Sequence, residues 1–135
     1  MEIRDYLVIE QIGSGLFSVV WLAKHRFKGY DVAIKDIVTG KLVLEYCTGG
    51  DLSTYIHRHV RVSEATVGHF MCQLAAGLWV LRENNLIHRD LKLQNLLLSM
   101  SDSNAVLKIA DFGFARPLQP QGLADTQCCN LHDYM

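Results

Sequence analysis

A chain of 135 residues, half of them apolar, is long enough to bury about 68% of its unfolded surface as one domain. Its formal charge of −1 and pI near 6.6 exclude a general attraction to nucleic acid or acidic membranes. The opening MEIRDYLVIE has no apolar signal core and no run of about 18 apolar residues follows, so the chain reads as soluble and intracellular, without membrane insertion.

The cysteines, Cys47, Cys72, Cys128 and Cys129, form no CxxC pair, which argues against zinc and against a disulfide framework. His57 and His59 read as solvated surface. Tyr6 to Ile12 alternates as a strand, Gly13-Ser14-Gly15 follows as a turn, and Val19 to Ala23 makes a second strand. Glycines in such a turn let backbone amides approach a phosphate, although taken alone the pattern is as often a plain hairpin. Val32-Ala33-Ile34-Lys35 is strand-like, and Lys35 could be an edge-strand lysine facing water. The nine residues 36 to 44, DIVTGKLVL, read as a strand end, a turn at Thr39-Gly40 and a further strand from Leu42 to Tyr46. Gly49-Gly50 reads as a flexible joint, and Asp51 as the N-cap of a short helix, LSTYIHRH. From Ser63 to Glu83 the apolar residues Val67, Phe70, Met71, Leu74, Leu78 and Leu81 recur at helical steps, with Ser63 as cap and Asn84-Asn85 as stop. That stripe reads as core packing.

The stretch from Leu86 to Arg116 carries the chemistry. It reads LIHRDLKLQNLLLS, a polar break, then LKIADFGFAR. Asp90, Asn95 and Asp111 supply hard oxygen atoms from short apolar segments, which suits phosphoryl transfer: a base orients the attacking hydroxyl and oxygen ligands hold Mg2+. Turn or cap chemistry is the competing reading for the two aspartates.

His88-Arg89-Asp90, Lys92 and Asn95 resemble the catalytic loop of protein kinases, and Asp111-Phe112-Gly113 resembles their metal-binding motif. In this order and spacing the match is highly specific. Lys92, two positions after Asp90, is the serine/threonine form. NLLLS and LKIADFGFARPLQPQGLADTQC are similar to the autophagy-initiating unc-51-like kinases, especially the plant members. The resemblance implies an α+β, bilobal fold. Residues 1–46 would form a small antiparallel N-lobe lacking the αC helix and one strand, since only nine residues separate Lys35 from Glu45. Residues 47–135 would form an incomplete, mainly helical C-lobe ending in the activation segment, with Thr126 at a position such kinases phosphorylate and CCNLHDYM departing from the family.

The same resemblance implies ATP and Mg2+ as cofactors. Gly13, Ser14 and Gly15 would cover the phosphates, with Ser18 in place of a third glycine, and Lys35 would hold the α- and β-phosphates. Val20 and Ala33 would roof the adenine, Glu45 and Cys47 would form the hinge with Leu44 behind it, Asp51 would reach the ribose, and Leu97 would join the nucleotide site. Asn95 and Asp111 would bind Mg2+, Asp90 would accept or orient the hydroxyl proton, and Lys92 would steady the transferring group. His88 and Phe112 would pack together. Protein Ser/Thr substrates and autophagy regulatory subunits are the implied partners, in the cytoplasm and at autophagosome-forming membranes, with oligomeric state left open. The alternative is a catalytically impaired module that binds nucleotide or a partner and transfers nothing.

Overall fold

Period-two alternation near the N-terminus produces a five-stranded antiparallel sheet. The computed structural model describes residues 2–117, so Thr126, Cys128, Cys129 and the rest of the expected activation segment lie outside the described residues. The chain divides between Tyr46 and Cys47 into two compact units. In the first, β1 (Glu2–Ile3), β2 (Tyr6–Ser14), β3 (Ser18–His25), β4 (Asp31–Ile37) and β5 (Gly40–Glu45) lie side by side in chain order. Each strand follows its neighbour through a short turn, which is why the order is sequential and every pairing antiparallel.

The hairpin read from DIVTGKLVL is present, one residue earlier than the expected turn. Ile37 pairs with Gly40 across Val38-Thr39, and Gly40 adopts φ +152, a conformation open to glycine and costly for a side chain. Lys35's strand therefore leads straight into β5, and among the described residues the unit contains no helix. Ala23, Val32 and Ile34 are its buried centre, with Ile3, Tyr6, Val8 and Trp21 packed around them. The β3–β4 loop is tied by its own backbone: His25 N–H donates to the Tyr30 carbonyl at 2.9 Å, and His25 Nδ1 accepts from the Phe27 and Lys28 amides, each at 3.3 Å.

The second unit contains α1 (Leu52–Arg58), α2 (Glu64–Glu83), β6 (Leu86–Ile87), a 3-10 turn (Leu93–Asn95), β7 (Leu96–Leu98), β8 (Leu107–Ile109) and β9 (Arg116–Pro117). Both helices start where their caps predict. The Asp51 side chain accepts from Thr54 N–H and the Ser63 side chain from Thr66 N–H, each satisfying a first-turn amide that has no carbonyl partner. Asn84 and Asn85 end α2; Asn85 turns left-handed at φ 53, a conformation asparagine tolerates better than most residues.

Two expectations change here. Of the α2 stripe, Phe70 is buried and Leu74 packs against the same cluster as Leu52, Tyr55, Leu96 and Leu98, whereas Val67, Met71 and Leu78 are exposed. Only the side of α2 that meets α1, β6, β7 and β8 has a covering layer among the described residues, so the stripe is core along one edge rather than throughout. Gly49-Gly50 is also not a loose joint. Gly49 N–H donates to Leu98 O at 3.0 Å and Leu98 N–H to Gly50 O at 2.8 Å. A Cβ on Gly49 would stand 2.2 Å from the Met100 carbonyl oxygen, so glycine is required there by close backbone approach.

Candidate active site

Asp90 and Asn95 lie five residues apart on irregular backbone, and a converging set of bonds fixes them. The 3-10 turn brings Asn95 N–H to the Lys92 carbonyl at 2.9 Å and buries the Asn95 side chain. Its Nδ2 donates to Asp90 O at 2.8 Å and to Asp90 Oδ2 at 3.1 Å. Both acceptors demand the amide nitrogen on that side, so Asn95 Oδ1 is the group left over. Lys92 Nζ stands 3.3 Å from the same Asp90 Oδ2. One carboxylate oxygen of Asp90 therefore carries two donors, and among the described residues Oδ1 remains for a third.

The second arm is joined to the first through backbone. Ala110 N–H donates to Asn95 O at 2.8 Å, extending the β7–β8 pairing, and His88 Nε2 lies 2.8 Å from the Ala110 carbonyl. His88 Nδ1 accepts from Asp90 N–H at 3.2 Å. These two bonds select the neutral tautomer with hydrogen on Nε2, which donates to Ala110 O. His88 is thus a buried spacer between the aspartate segments. Its ring meets Phe112 edge-on, with centroids 4.9 Å apart, which is the packing expected from sequence.

Two non-glycine residues here hold positive φ, Arg89 at 68 and Asp111 at 61. Such backbone costs about 1–3 kcal/mol per residue and persists where its surroundings over-determine it. Arg89 is held by its Nε donating to Phe114 O at 2.6 Å. Asp111 is exposed and its Oδ1 accepts from Gly113 N–H at a long 3.4 Å. An amide oxygen and a carboxylate are hard donors, and Mg2+ is usually held by one or two such groups while keeping several waters, so Asn95 and Asp111 fit that ion.

The sheet places the other expected residues within the first unit. Val20 is opposite Lys35, which is opposite Leu42; Leu22 is opposite Ala33, which is opposite Leu44. Cross-strand partners share a face, so Val20, Ala33, Lys35 and Leu44 line one side of the sheet. Gly13 is opposite Val20 and Ser14 opposite Val19, with an irregularity between Gln11 and Gly13. Gly15 N–H donates to Ser18 O at 2.8 Å and so closes the turn. Glu45 ends β5 opposite Val32, putting its side chain on the other face. In the second unit, Cys47 is half-buried, and Asp51, already the cap of α1, forms a bridge with Leu97.

Gln73 was not singled out by sequence reading, yet it anchors the strand leading to Asp111. Its Oε1 accepts from Leu107 N–H at 3.0 Å and its Nε2 donates to Ala105 O at 3.2 Å. A polar residue one step before Leu74 in an apolar-periodic helix was the available signal. Near the other end of α2, Gly77 lets the helix approach β8 so closely that a Cβ would lie 2.9 Å from Ile109 Cδ1.

A protein kinase domain model matches residues 36–135. The chain is 52% identical over 164 residues to serine/threonine-protein kinase ATG1c of Arabidopsis thaliana, covering 93% of this chain and 22% of the relative. It is 49% identical over 87 residues to serine/threonine-protein kinase atg1 of Dictyostelium discoideum, covering 64% and 13%. To human serine/threonine-protein kinase ULK1 it is 37% identical over 161 residues, covering 87% and 15%. The chain spans about a fifth of the length of the plant relative. The plant match is longer than the 135-residue chain, so part of the matched stretch has no counterpart here. The family match takes in every residue of the Asp90, Lys92, Asn95 and Asp111 cluster, and on this ground the chain belongs to the protein kinase domain family.

Proposed function

We propose that the chain acts as an ATP-dependent serine/threonine kinase of the autophagy-initiating type, moving the γ-phosphate of Mg-ATP to protein Ser/Thr hydroxyls. The observation that carries this reading is the state of Asp90: Oδ2 is occupied by Asn95 and Lys92 while Oδ1 is left for an incoming hydroxyl. Oδ1 would accept the substrate's O–H, orienting its oxygen for attack and taking the proton as transfer proceeds. Lys92, fixed beside it, would place positive charge where negative charge grows. Asn95 and Asp111 would hold Mg2+, which when bound neutralises phosphate charge. Lys35, Val20 and Ala33 would serve the nucleotide from the sheet. The relatives' names support the residue class phosphorylated. Cytoplasmic work at autophagosome-forming membranes, with autophagy regulatory subunits, belongs to the same proposal.

Two measurements on the whole chain test it. Mg-ATP at a hundredfold excess over its dissociation constant should stabilise by about 2.7 kcal/mol, read as a rise in Tm, and Asp111→Asn should abolish that rise. Asp90→Asn should keep the rise and lower phosphate transfer by about 10²–10⁴-fold. Absence of any nucleotide-dependent shift in folded wild-type protein sinks the reading.

A second reading, a module that binds nucleotide or a partner without transfer, is favoured by the direct β4–β5 hairpin. With no helix in the first unit among the described residues, the αC glutamate that the family pairs with its strand lysine has no helix to carry it, as the sequence implies. A nucleotide shift with transfer equal in wild type and Asp90→Asn would select it.

A further inference from the structure

Gln73 bridges α2 to β8, and its two amide atoms are told apart by what they meet. Leu107 N–H can only donate, so the atom 3.0 Å from it is Oε1, and Nε2 donates to the Ala105 carbonyl at 3.2 Å. The ladder leaves Leu107 in need of that acceptor. Ser99 N–H donates to Val106 O at 3.0 Å, so Leu107, next along and opposite Leu98, turns its own N–H away from β7. One helical turn before Gln73, His69 Nε2 lies 3.0 Å from Gln73 Nε2. An amide NH2 needs an acceptor there, so His69 is neutral, with its proton on Nδ1. His69 Nε2 also lies 3.3 Å from the Ala105 carbonyl, to which a ring lone pair offers no bond.

A proton on His69 Nε2 reverses these preferences. Ring and amide then face each other as two donors, and the Ala105 carbonyl becomes an acceptor for the ring. The Gln73 amide can satisfy the imidazolium only by turning Oε1 toward it, which takes the acceptor from Leu107. We propose that His69 and Gln73 are positioning residues that form a proton-operated latch on β8, closed onto Leu107 when His69 is neutral and open when it is charged. His69 is exposed, so solvent protons reach it, and imidazole changes charge between about pH 5 and 8. The other titratable groups on its flanks are Glu64 and Cys72 along α2, Tyr55 and His59 beyond the Phe70 ring, Asp102 before Ala105 and Lys108 after Leu107. Asp102 Oδ1 accepts from Asn104 N–H at 2.8 Å, and His59 Nδ1 lies 2.7 Å from the Tyr55 carbonyl, so each of these two is engaged close to its own position. From Leu107, β8 leads to Ala110, whose N–H donates to Asn95 O and whose carbonyl meets His88, and then to Asp111. An open latch therefore loosens the strand that carries Asp111. Its effect on Mg-ATP rests on the kinase reading, so the deciding measurements use no nucleotide.

NMR on the full chain supplies them. The imidazole nitrogens of His69 should show a proton on Nδ1 alone at about pH 8. Exchange of the Leu107 amide, taken relative to the unstructured rate at each pH, should lose about tenfold of its protection at about pH 5.5, and that of Ala110 about threefold. His69→Gln offers Gln73 an acceptor that does not titrate, and should hold Leu107 protection equal at the two pH values to within about twofold. Gln73→Glu keeps the acceptor for Leu107 and gives charged His69 a carboxylate, so protection should rise as pH falls, a reversal that a merely structural role would not give. A proton on His69 Nε2 at the higher pH overturns the proposal. So does a Leu107 amide indifferent to pH, a His69→Gln variant that follows wild type, or an Ala110 amide that ignores the change at Leu107. A latch that behaves as stated in a chain whose Tm ignores Mg-ATP at both pH values sinks the kinase reading alone.

Discussion

The two units place their candidate site residues by different means. In the first, Val20, Ala33 and Lys35 take position from strand register, each set opposite a partner by ladder hydrogen bonds that do not depend on side-chain identity. In the second, Asp90, Asn95 and Asp111 sit on irregular backbone and are fixed by side chains bonding to backbone: Asn95 to Asp90, His88 to Ala110 and Arg89 to Phe114. A register site tolerates substitution between its key residues. A site built from such bonds fails when one donor or acceptor is removed, because the partner stays buried and unpaired.

The largest effects should come from the two cores. Ile34 and Leu98 are both fully buried, and truncating either to alanine should cost about 2–5 kcal/mol. Among the described residues, Ile34 belongs to a cluster with only Ala23 and Val32 as buried neighbours. Hydrogen exchange should show β2–β4 losing protection in Ile34→Ala and β7–β8 in Leu98→Ala. Equal loss in both regions from either change would erase the distinction between the units. Next, Gly49→Ala forces a methyl group onto the Met100 carbonyl, backbone that cannot rotate away, and should cost about 3 kcal/mol of thermal stability. A neutral outcome would mean that the Gly49–Leu98 approach relaxes freely.

Gln73 sharpens the contrast at smaller scale. Gln73→Ala leaves Leu107 N–H without its side-chain acceptor and Ala105 O with His69 Nε2, 3.3 Å away, as its remaining side-chain neighbour, a loss of about 1–3 kcal/mol, and should lower Mg-ATP stabilisation as β8 and the Asp111 segment loosen. Gln73→Glu keeps the acceptor for Leu107 and sets a carboxylate oxygen against the Ala105 carbonyl. It should fall between wild type and alanine if the clamp acts through both bonds.

Much of this was legible in the residues. Alternation in YLVIEQI, the VAIK run and the short turn in DIVTGKLVL predict the sheet and its direct hairpin, because period and turn length are local properties. Asp51 and Ser63 announce their helices for the same reason. HRDLKLQN and DFG mark the site through resemblance, since nothing in periodicity says that Asn95 folds back onto Asp90 or that Asp111 turns left-handed. What could not be read is tertiary: Gly49 is required by Met100, 51 residues further on, and among the described residues α2's stripe is covered at Phe70, Leu74 and Leu81 but open at Val67, Met71 and Leu78. The expected turn lies one residue late because glycine is a stronger turn residue than valine, whereas pairing of Ile37 with Gly40 puts Val38-Thr39 in the turn and Gly40 at the start of β5.

The smallest predicted effect separates the units most directly, because it compares two ion pairs of nearly equal length. Lys24 and Asp31 lie 3.4 Å apart in the first unit, with side chains 49% and 41% exposed, while Lys92 and Asp90 lie 3.3 Å apart in the second, at 38% and 23%. The former bridges adjacent strands in solvent, where screening and side-chain entropy reduce the contribution to less than about 0.5 kcal/mol. The latter shares its oxygen with Asn95, so the lysine helps to hold one Asp90 oxygen while the other stays open. Lys24→Ala should leave Tm and phosphate transfer unchanged at physiological salt. Lys92→Ala should also cost less than about 1 kcal/mol of stability yet reduce transfer strongly if, as proposed, its charge serves the reaction rather than the fold. If both variants lowered stability alike and spared transfer, Lys92 would be an ordinary surface partner, and the difference drawn between register-built and bond-built sites would not extend to the chemistry.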